Sequence, residues 1–374
     1  MEKRAFDNLG ISTSLLGFGC MRLPEKDGKI DEEYAEKIID KAYAQGVTYF
    51  DTAYPYHNGA SEPFVGRVLD KYPRDSYYLA TKLPCWFVKS VDDAKRIFNE
   101  QLERLHKDYV DFFLLHALNG ERFREMRDLG VVDYLLTEKA AGRLKYLGFS
   151  FHDGYEAFEE IIKYRKWDFC QIQFNYMDTE DQAGIKGVRL AESLGIPLVI
   201  MEPVKGGSLA TLPKDVTAEF KRIRPDASPA SWALRYVGSF DNVKVILSGM
   251  SNEAQVDDNL ATFNNFEKLN DEEQKAVEKT AATIRSRVFN GCTGCRYCMP
   301  CPNGVDIPHN FRIWNTYGMY NNTGNAKWEW NSTIKDEEKA KNCISCGLCE
   351  TQCPQHLNIR ENLASLQELM DSLR

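Results

Sequence analysis

Eight short runs of β-forming apolar residues recur through the first 270 residues, and an amphipathic stretch of helical character follows most of them. The runs are LLGFG (15–19), VTYFDTA (47–53), YYLATKL (77–83), VDFFLLH (110–116), RLKYLGFSF (143–151), FCQIQFN (169–175), PLVIMEP (197–203) and VKVILSG (243–249). In the stretch after the first run, Tyr34, Ile38, Ala42 and Tyr43 recur at helical spacing, and Gly46 stands where a C-terminal cap belongs. Alternation repeated this many times predicts an α/β fold of the (β/α)8 TIM-barrel kind. The rival is a doubly wound open sheet. That fold announces itself with a G-x-G-x-x-G turn after an early strand, and GFGCMR does not have that spacing.

Residues 4–16 read as a short hairpin plugging the bottom of the barrel, and 204–227 as a long charged insertion after the seventh strand, of the kind that shapes an active site. Residues 1–270 then form the barrel, 271–290 a polar linker helix, and 291–374 a second, smaller domain.

Cysteine usage defines that smaller domain. Of 11 cysteines, Cys20, Cys85 and Cys170 are scattered through the barrel and read as unligated, Cys85 and Cys170 as core residues. The other eight lie between Cys292 and Cys353. They form Cys292-x2-Cys295-x2-Cys298-x2-Cys301-Pro302 and Cys343-x2-Cys346-x2-Cys349-x3-Cys353-Pro354. The opening residues, MEKRAFDNLG, lack the apolar core of a signal peptide, which favours metal ligation over disulfides and a cytoplasmic setting. Three cysteines spaced by two residues suit three corners of one iron–sulfide cube. Zinc, the alternative for CxxC pairs, accounts poorly for a fourth cysteine before proline occurring twice.

The two blocks resemble bacterial-type two-cluster ferredoxins, in which the cysteine before proline ligates the other cluster. The resemblance implies a mainly helical ferredoxin-like domain with two [4Fe-4S] clusters. One would be held by Cys292, Cys295, Cys298 and Cys353, the other by Cys343, Cys346, Cys349 and Cys301. The first block departs slightly, with two residues instead of three before its last cysteine. Trp314, Tyr317, Tyr320, Trp328 and Trp330, between the blocks, are expected to supply the small domain's core and docking face.

Active sites of such barrels form where the strands end. The second run ends in Asp51, with Tyr56 five residues later; the third carries Lys82 and the fourth His116. A carboxylate, a phenol, an amine and an imidazole at one mouth suit proton donation to a carbonyl oxygen. A neighbouring Lys82 is expected to lower the phenol's pKa.

FDTAYPYHNGASE, LATKLP and VDFFLLH resemble the blocks that carry the catalytic tetrad of the aldo-keto reductase family, over roughly residues 1–265. With the tail included, the chain resembles the branch of that family fused to a two-cluster ferredoxin domain. The resemblance implies Tyr56 as general acid, Lys82 and Asp51 as its tuning pair, and His116 as the group that orients the substrate. It also implies a nicotinamide dinucleotide lying across the barrel mouth. The matching positions are Gly19, Cys20 and Met21; Ser150 and Gln171 for the carboxamide; Glu202 and Val204; and Gly249, Met250, Ser251, Gln255 and Asn259. Ser251 reads as an N-cap whose neighbouring backbone N–H groups face a phosphate.

Two family features are altered. Phe151, His152 and Asp153 follow Ser150 where the family often has asparagine, and Met201 stands for an aromatic that commonly stacks on the nicotinamide. The usual basic residues for an adenosine 2′-phosphate are missing as well. Gly249 and Gln255 occupy those positions, and 249–259 contains Glu253, Asp257 and Asp258 but no lysine or arginine. A preference for NADH over NADPH is the resulting expectation.

A nicotinamide moves two electrons and a cluster moves one. The expected function is therefore an NAD(P)H-dependent oxidoreductase acting on a small carbonyl or alcohol, coupled to electron transfer through the clusters and to a ferredoxin or other redox protein. The alternatives are a plain carbonyl reductase with structural or redox-sensing clusters, and a redox-responsive binding protein. A flavin in the mouth would link one- and two-electron steps. No sequence feature demonstrates one, and Tyr54, Trp86, Phe87 and Phe151 read more simply as a substrate pocket. The net charge of −8 and the lack of a long apolar run argue against nucleic-acid and membrane partners.

Overall fold

The computed structural model describes residues 1–373. It divides into two units: Met1–Gly206 with Ala230–Asp271, and Gly207–Pro229 with the chain from Glu272 onward. Among the described residues no helix is long and apolar enough to cross a membrane.

The first unit is a closed barrel of eight parallel strands. They are β1 (Leu16–Gly19), β2 (Tyr49–Asp51), β3 (Tyr78–Leu83), β4 (Val110–Leu118), β5 (Leu144–Phe151), β6 (Phe169–Gln173), β7 (Leu198–Met201) and β8 (Val243–Ser248). Each pairs with its neighbour in sequence, and β8 closes on β1 through Ile246–Leu16, Leu247–Gly17 and Ser248–Phe18. All eight apolar runs thus become strands. They are apolar along nearly their whole length because one face fills the barrel while the other packs under helices.

Helices follow the strands as the amphipathic stretches predict. Glu32–Ala44 starts with the Asp31 carboxylate accepting from the Tyr34 amide at 3.3 Å. It ends at Gly46, whose φ of +93° suits only glycine without strain. The hairpin Lys3–Phe6/Ile11–Ser14 sends Phe6 into the barrel floor, 5.6 Å from the Phe112 ring. Tyr49 and Phe169 each approach Phe112 to 4.9 Å from other strands. That aromatic layer leaves no room for a side chain at Gly148, where a Cβ would lie 2.6 Å from the Phe169 carbonyl oxygen. With its lower end filled this way, Asp51, Lys82 and His116 stand toward the strands' C-terminal ends.

The second unit gathers Gly207–Pro229, the helix Asp271–Arg285 and the cysteine region. The insertion after β7 therefore belongs mostly to this unit, tied to the helix by Arg222–Glu272 at 3.0 Å and by Glu219–Lys279. The cysteine region is mainly helical, with Ile307–Tyr320, Thr323–Ser332, Leu348–Thr351 and Ile359–Ser372. Phe311, Trp314, Trp330, Leu363 and Leu366 form its core, and six of the eight clustered cysteines pack on the edge of that core. Tyr320 is buried as expected, whereas Trp328 is exposed.

Candidate functional site

The C-terminal ends of the strands carry Gly19, Asp51, Lys82, His116, Ser150, Gln171, Met201 and Ser248. Lys82, on the third strand, is fully buried. Its ammonium donates to Asp51 Oδ1 at 2.6 Å, to the Thr52 carbonyl at 2.8 Å and to the Tyr56 hydroxyl at 3.2 Å. Three acceptors saturate the three N–H bonds, which fixes the amine between carboxylate and phenol. Tyr56 opens a tight turn, Tyr56–Gly59, in which His57 and Asn58 have φ of 51° and 55°. His57 pins that turn by accepting from the Leu23 amide at 3.3 Å through Nε2, while Nδ1 faces Glu25 Oε1 at 2.7 Å. The His116 ring stands edge-on to Tyr56, with centroids 6.0 Å apart, and Trp86 flanks it at 5.1 Å. The structure therefore brings Asp51, Tyr56, Lys82 and His116 to one point.

The electrostatics differ from the sequence expectation in one respect. Burial pushes the Tyr56 phenol above its usual range, and Lys82 pulls it back only in part. The expected downward shift is thereby corrected: desolvation outweighs the neighbouring cation, and Tyr56 keeps its proton at neutral pH. Burial also works against the Lys82 ammonium, but Asp51 and Tyr56 outweigh it and hold the amine protonated. His116 is pushed well below the usual imidazole range by burial and by Lys82, so the ring is neutral.

The positions expected to contact a nucleotide ring the same mouth. The Ser150 hydroxyl accepts from the Ala117 amide at 2.8 Å, which leaves its proton free to donate. Gln171 donates to Met201 Sδ at 3.6 Å, and its buried Oε1 has no partner. This free donor and acceptor fit the two ends of a carboxamide. A Cβ at Gly19 would sit 3.4 Å from the Ser248 carbonyl, so the backbones of β1 and β8 approach closely there. Cys20 is buried, with its thiol pushed up by desolvation, and Met21 is exposed. Glu202 has a φ of 55° and starts the loop through half-buried Val204. Met250 is buried, and Asn259 donates to the Ser248 hydroxyl at 2.7 Å.

Two expectations are corrected here. The N-cap of the helix Glu253–Asn264 is Asn252, whose side chain accepts from the Gln255 amide at 2.9 Å. Ser251 instead donates its hydroxyl to the Arg22 carbonyl at 2.7 Å and accepts nothing from the helix; its amide is bound by Gln255 Oε1 at 2.7 Å. Phe151 does not line the mouth. It is fully buried against Phe158, centroids 5.2 Å apart, because alternate residues of a strand point to opposite faces.

Three residues at the mouth had no sequence motif to mark them. Arg22 packs along Gly249, where a Cβ would lie 3.1 Å from its own, and its guanidinium is 3.8 Å from Glu202. Asn175, just past β6, donates to Asp178 at 2.9 Å and to the Glu202 carbonyl at 3.0 Å. Lys205 closes this group with a 2.5 Å bond to Asp178.

In the cysteine region the thiols gather around two apolar hollows. Cys292, Cys295, Cys298 and Cys353 line one, with Phe311 and Leu357. Cys301, Cys343, Cys346 and Cys349 line the other, with Val305 and Leu363. Each hollow thus takes three cysteines from one block and one from the other. Among the described residues no group of three or more His, Cys, Asp or Glu converges to hold a single metal ion. Thiols spread around a hollow fit a larger group such as a cluster. Cys85 and Cys170, like Cys20, are buried within the barrel unit, with the Cys85 thiol pushed up to about 12 by burial.

Two family models match the chain: the Aldo/keto reductase family over residues 15–282, and the 4Fe-4S dicluster domain over residues 291–357. L-galactose dehydrogenase of Arabidopsis thaliana is 24% identical over 313 residues, which span 75% of this chain and 94% of that protein. An NADH-specific methylglyoxal reductase of Escherichia coli is 23% identical over 237 residues, 58% of this chain and 71% of its own. Among solved structures, the holo form of an aldo-keto reductase from Bacillus halodurans matches with a TM-score of 0.63 and 27% identity, covering 75% of this chain and 96% of that one.

Proposed function

Because the chain belongs to the aldo/keto reductase family and ends in a 4Fe-4S dicluster domain, we propose that its barrel interconverts a small carbonyl compound and its alcohol with NAD(P)H, and that this chemistry is coupled to electron transfer through two [4Fe-4S] clusters. One observation carries the reading: the buried Lys82 amine stands between Asp51, at 2.6 Å, and the Tyr56 hydroxyl, at 3.2 Å. When bound, the nicotinamide would supply a hydride to the carbonyl carbon, and the clusters would pass electrons singly between the nucleotide and a small redox protein.

The protein's residues do the rest. Tyr56 gives its proton to the carbonyl oxygen, and the Lys82 ammonium stabilises the phenolate left behind. Asp51 keeps Lys82 charged inside the barrel. Neutral His116 presents an N–H to the same oxygen without competing for its proton. Ser150 and Gln171 hold the carboxamide. Cys292, Cys295, Cys298 and Cys353 hold one cluster, and Cys301, Cys343, Cys346 and Cys349 the other. NADH is the preferred nucleotide, since Glu253 and Asp257 lie where a 2′-phosphate would need cations; the similar enzyme of E. coli is named NADH-specific. A small redox protein of the ferredoxin kind is the partner for the clusters.

The test is an anaerobic titration of the iron-reconstituted protein with NADH, then NADPH, following cluster absorbance and the EPR of the reduced clusters. An aldehyde panel is run alongside on the wild type and Tyr56→Phe. The expected result is cluster reduction by a nucleotide, and a loss of aldehyde turnover by roughly 100-fold or more in the variant. Turnover that needs Tyr56 with clusters reduced only by dithionite would overturn the coupling and leave the reductase. Turnover unaffected by Tyr56→Phe would overturn the reductase chemistry.

A further inference from the structure

Basic side chains on and beside the helices Val91–Arg104 and Gly120–Asp128 are mostly paired. Lys89 meets Glu125, Arg104 meets Glu100, Arg124 meets Glu160, and Arg127 meets Asp128. Arg122 is the exception. It is half-buried near the start of the helix Gly120–Asp128, and among the described residues it forms no ion pair.

Its guanidinium is nevertheless held in place. Nη1 donates to the Ala117 carbonyl, directly after His116, and the guanidinium lies 5.7 Å from the centre of the Trp86 ring. The Trp86 ring is in turn 5.1 Å from His116, and His116 is 6.0 Å from Tyr56. The strand is irregular at this contact. Pairing of β4 with β5 slips between Leu115 and Leu118, and Ala117 takes a φ of 52°, unfavourable for alanine. An arginine anchored through one N–H keeps its remaining donors for something else.

Lys82 and Arg122 are cations acting on His116, and both disfavour its protonation. Carboxylates around the site are engaged elsewhere. Asp51 is bound to Lys82, and Asp153 accepts from the Gly120 and Gly154 amides at 2.9 and 2.8 Å. An unpaired, preoriented guanidinium beside an aromatic wall is a site for a planar anion.

We propose that Arg122 is a specificity-determining residue, and that the carbonyl compounds this barrel takes carry a carboxylate remote from the reacting carbon. The carboxylate meets the free N–H groups of Arg122, Trp86 packs on the intervening carbons, and the carbonyl is left at Tyr56 and His116. This inference rests on the carbonyl-reductase reading above.

The experiment compares 4-carboxybenzaldehyde with benzaldehyde, and 4-oxobutanoate with butanal, at saturating NADH. In the wild type the acid of each pair should have the higher kcat/KM by roughly tenfold or more. Arg122→Met should bring the ratio close to one by raising KM for the acid, and Arg122→Lys should keep part of it. A ratio near one in the wild type, or the same ratio in wild type and Arg122→Met, overturns the proposal. Calorimetric binding of 4-carboxybenzyl alcohol against benzyl alcohol separates the two readings. Charge-selective binding lost in Arg122→Met, with no aldehyde reduced, supports the anion site and overturns the reductase reading. Charge-blind binding with both aldehydes reduced overturns the anion site alone.

Discussion

Asp51 gives one carboxylate oxygen to the Lys82 ammonium at 2.6 Å and keeps its other oxygen buried without a partner. Burial pushes the Asp51 carboxyl up and Lys82 pulls it down, so each charge survives inside the barrel because of the other. Asp51→Asn leaves the ammonium buried without a counter-charge. The expected cost is about 3–5 kcal/mol of barrel stability, measured by urea unfolding. A cost under about 1 kcal/mol would mean that Lys82 is not held as a cation.

The same electrostatics set a pH profile. A general acid works in its protonated form, and burial moves the loss of the Tyr56 proton to higher pH than an exposed phenol shows. His116 stays neutral as pH falls through the usual imidazole range. The kcat/KM for carbonyl reduction should therefore be flat from about pH 6 to about pH 9, and fall only on the alkaline side of about pH 10. An acidic limb centred near the ordinary imidazole pKa, abolished by His116→Asn, would show that His116 does titrate.

How far the sequence went depended on whether a property was local. Each strand was legible because most of its length is apolar, and the cysteine blocks because their spacing lies within a dozen residues. Asp51, Lys82 and His116 were legible because each stands at or near a strand end. Arg22 was not: it reaches Gly249 only when β1 and β8 close the barrel, and no motif records that approach. Arg122 depends on the break in β4 at Ala117 in the same way. The direction of the Tyr56 shift needed the degree of burial, which pattern alone does not give. Ser251 and Asn252 are both cap-forming residues, and only the backbone decides which of the two accepts from the helix.

The exchange of cysteines between blocks has a direct consequence. Cys353 belongs by sequence to the second block but faces the hollow of the first, while Cys301 faces the hollow of the second. Cys353→Ser should therefore lower iron content by up to about half and abolish the EPR signal of the same cluster as Cys292→Ser. Cys301→Ser should pair with Cys343→Ser. If Cys353→Ser instead removed the signal lost in Cys343→Ser, the blocks would hold their clusters separately.

The proposed preference for NADH rests on two acidic residues and the lysines paired with them. Glu253, in the first turn of the helix Glu253–Asn264, pairs with Lys37, and Asp257 pairs with Lys41 at 2.5 Å. Arg22, the remaining cation near Gly249, faces Glu202. The cations that a 2′-phosphate would need are thus already committed to carboxylates, and a negative phosphate near Glu253 meets repulsion. The wild type should favour NADH in kcat/KM. Glu253→Gln removes one negative charge and releases Lys37 together, so its NADPH-to-NADH ratio should rise by roughly tenfold. The rise should shrink at high salt, because Lys37 is exposed and its attraction for the phosphate is screened. Steady-state kinetics with both nucleotides at two ionic strengths decide the matter: a wild type that prefers NADPH by tenfold or more rejects the assignment, and an unchanged ratio in Glu253→Gln places the discrimination elsewhere.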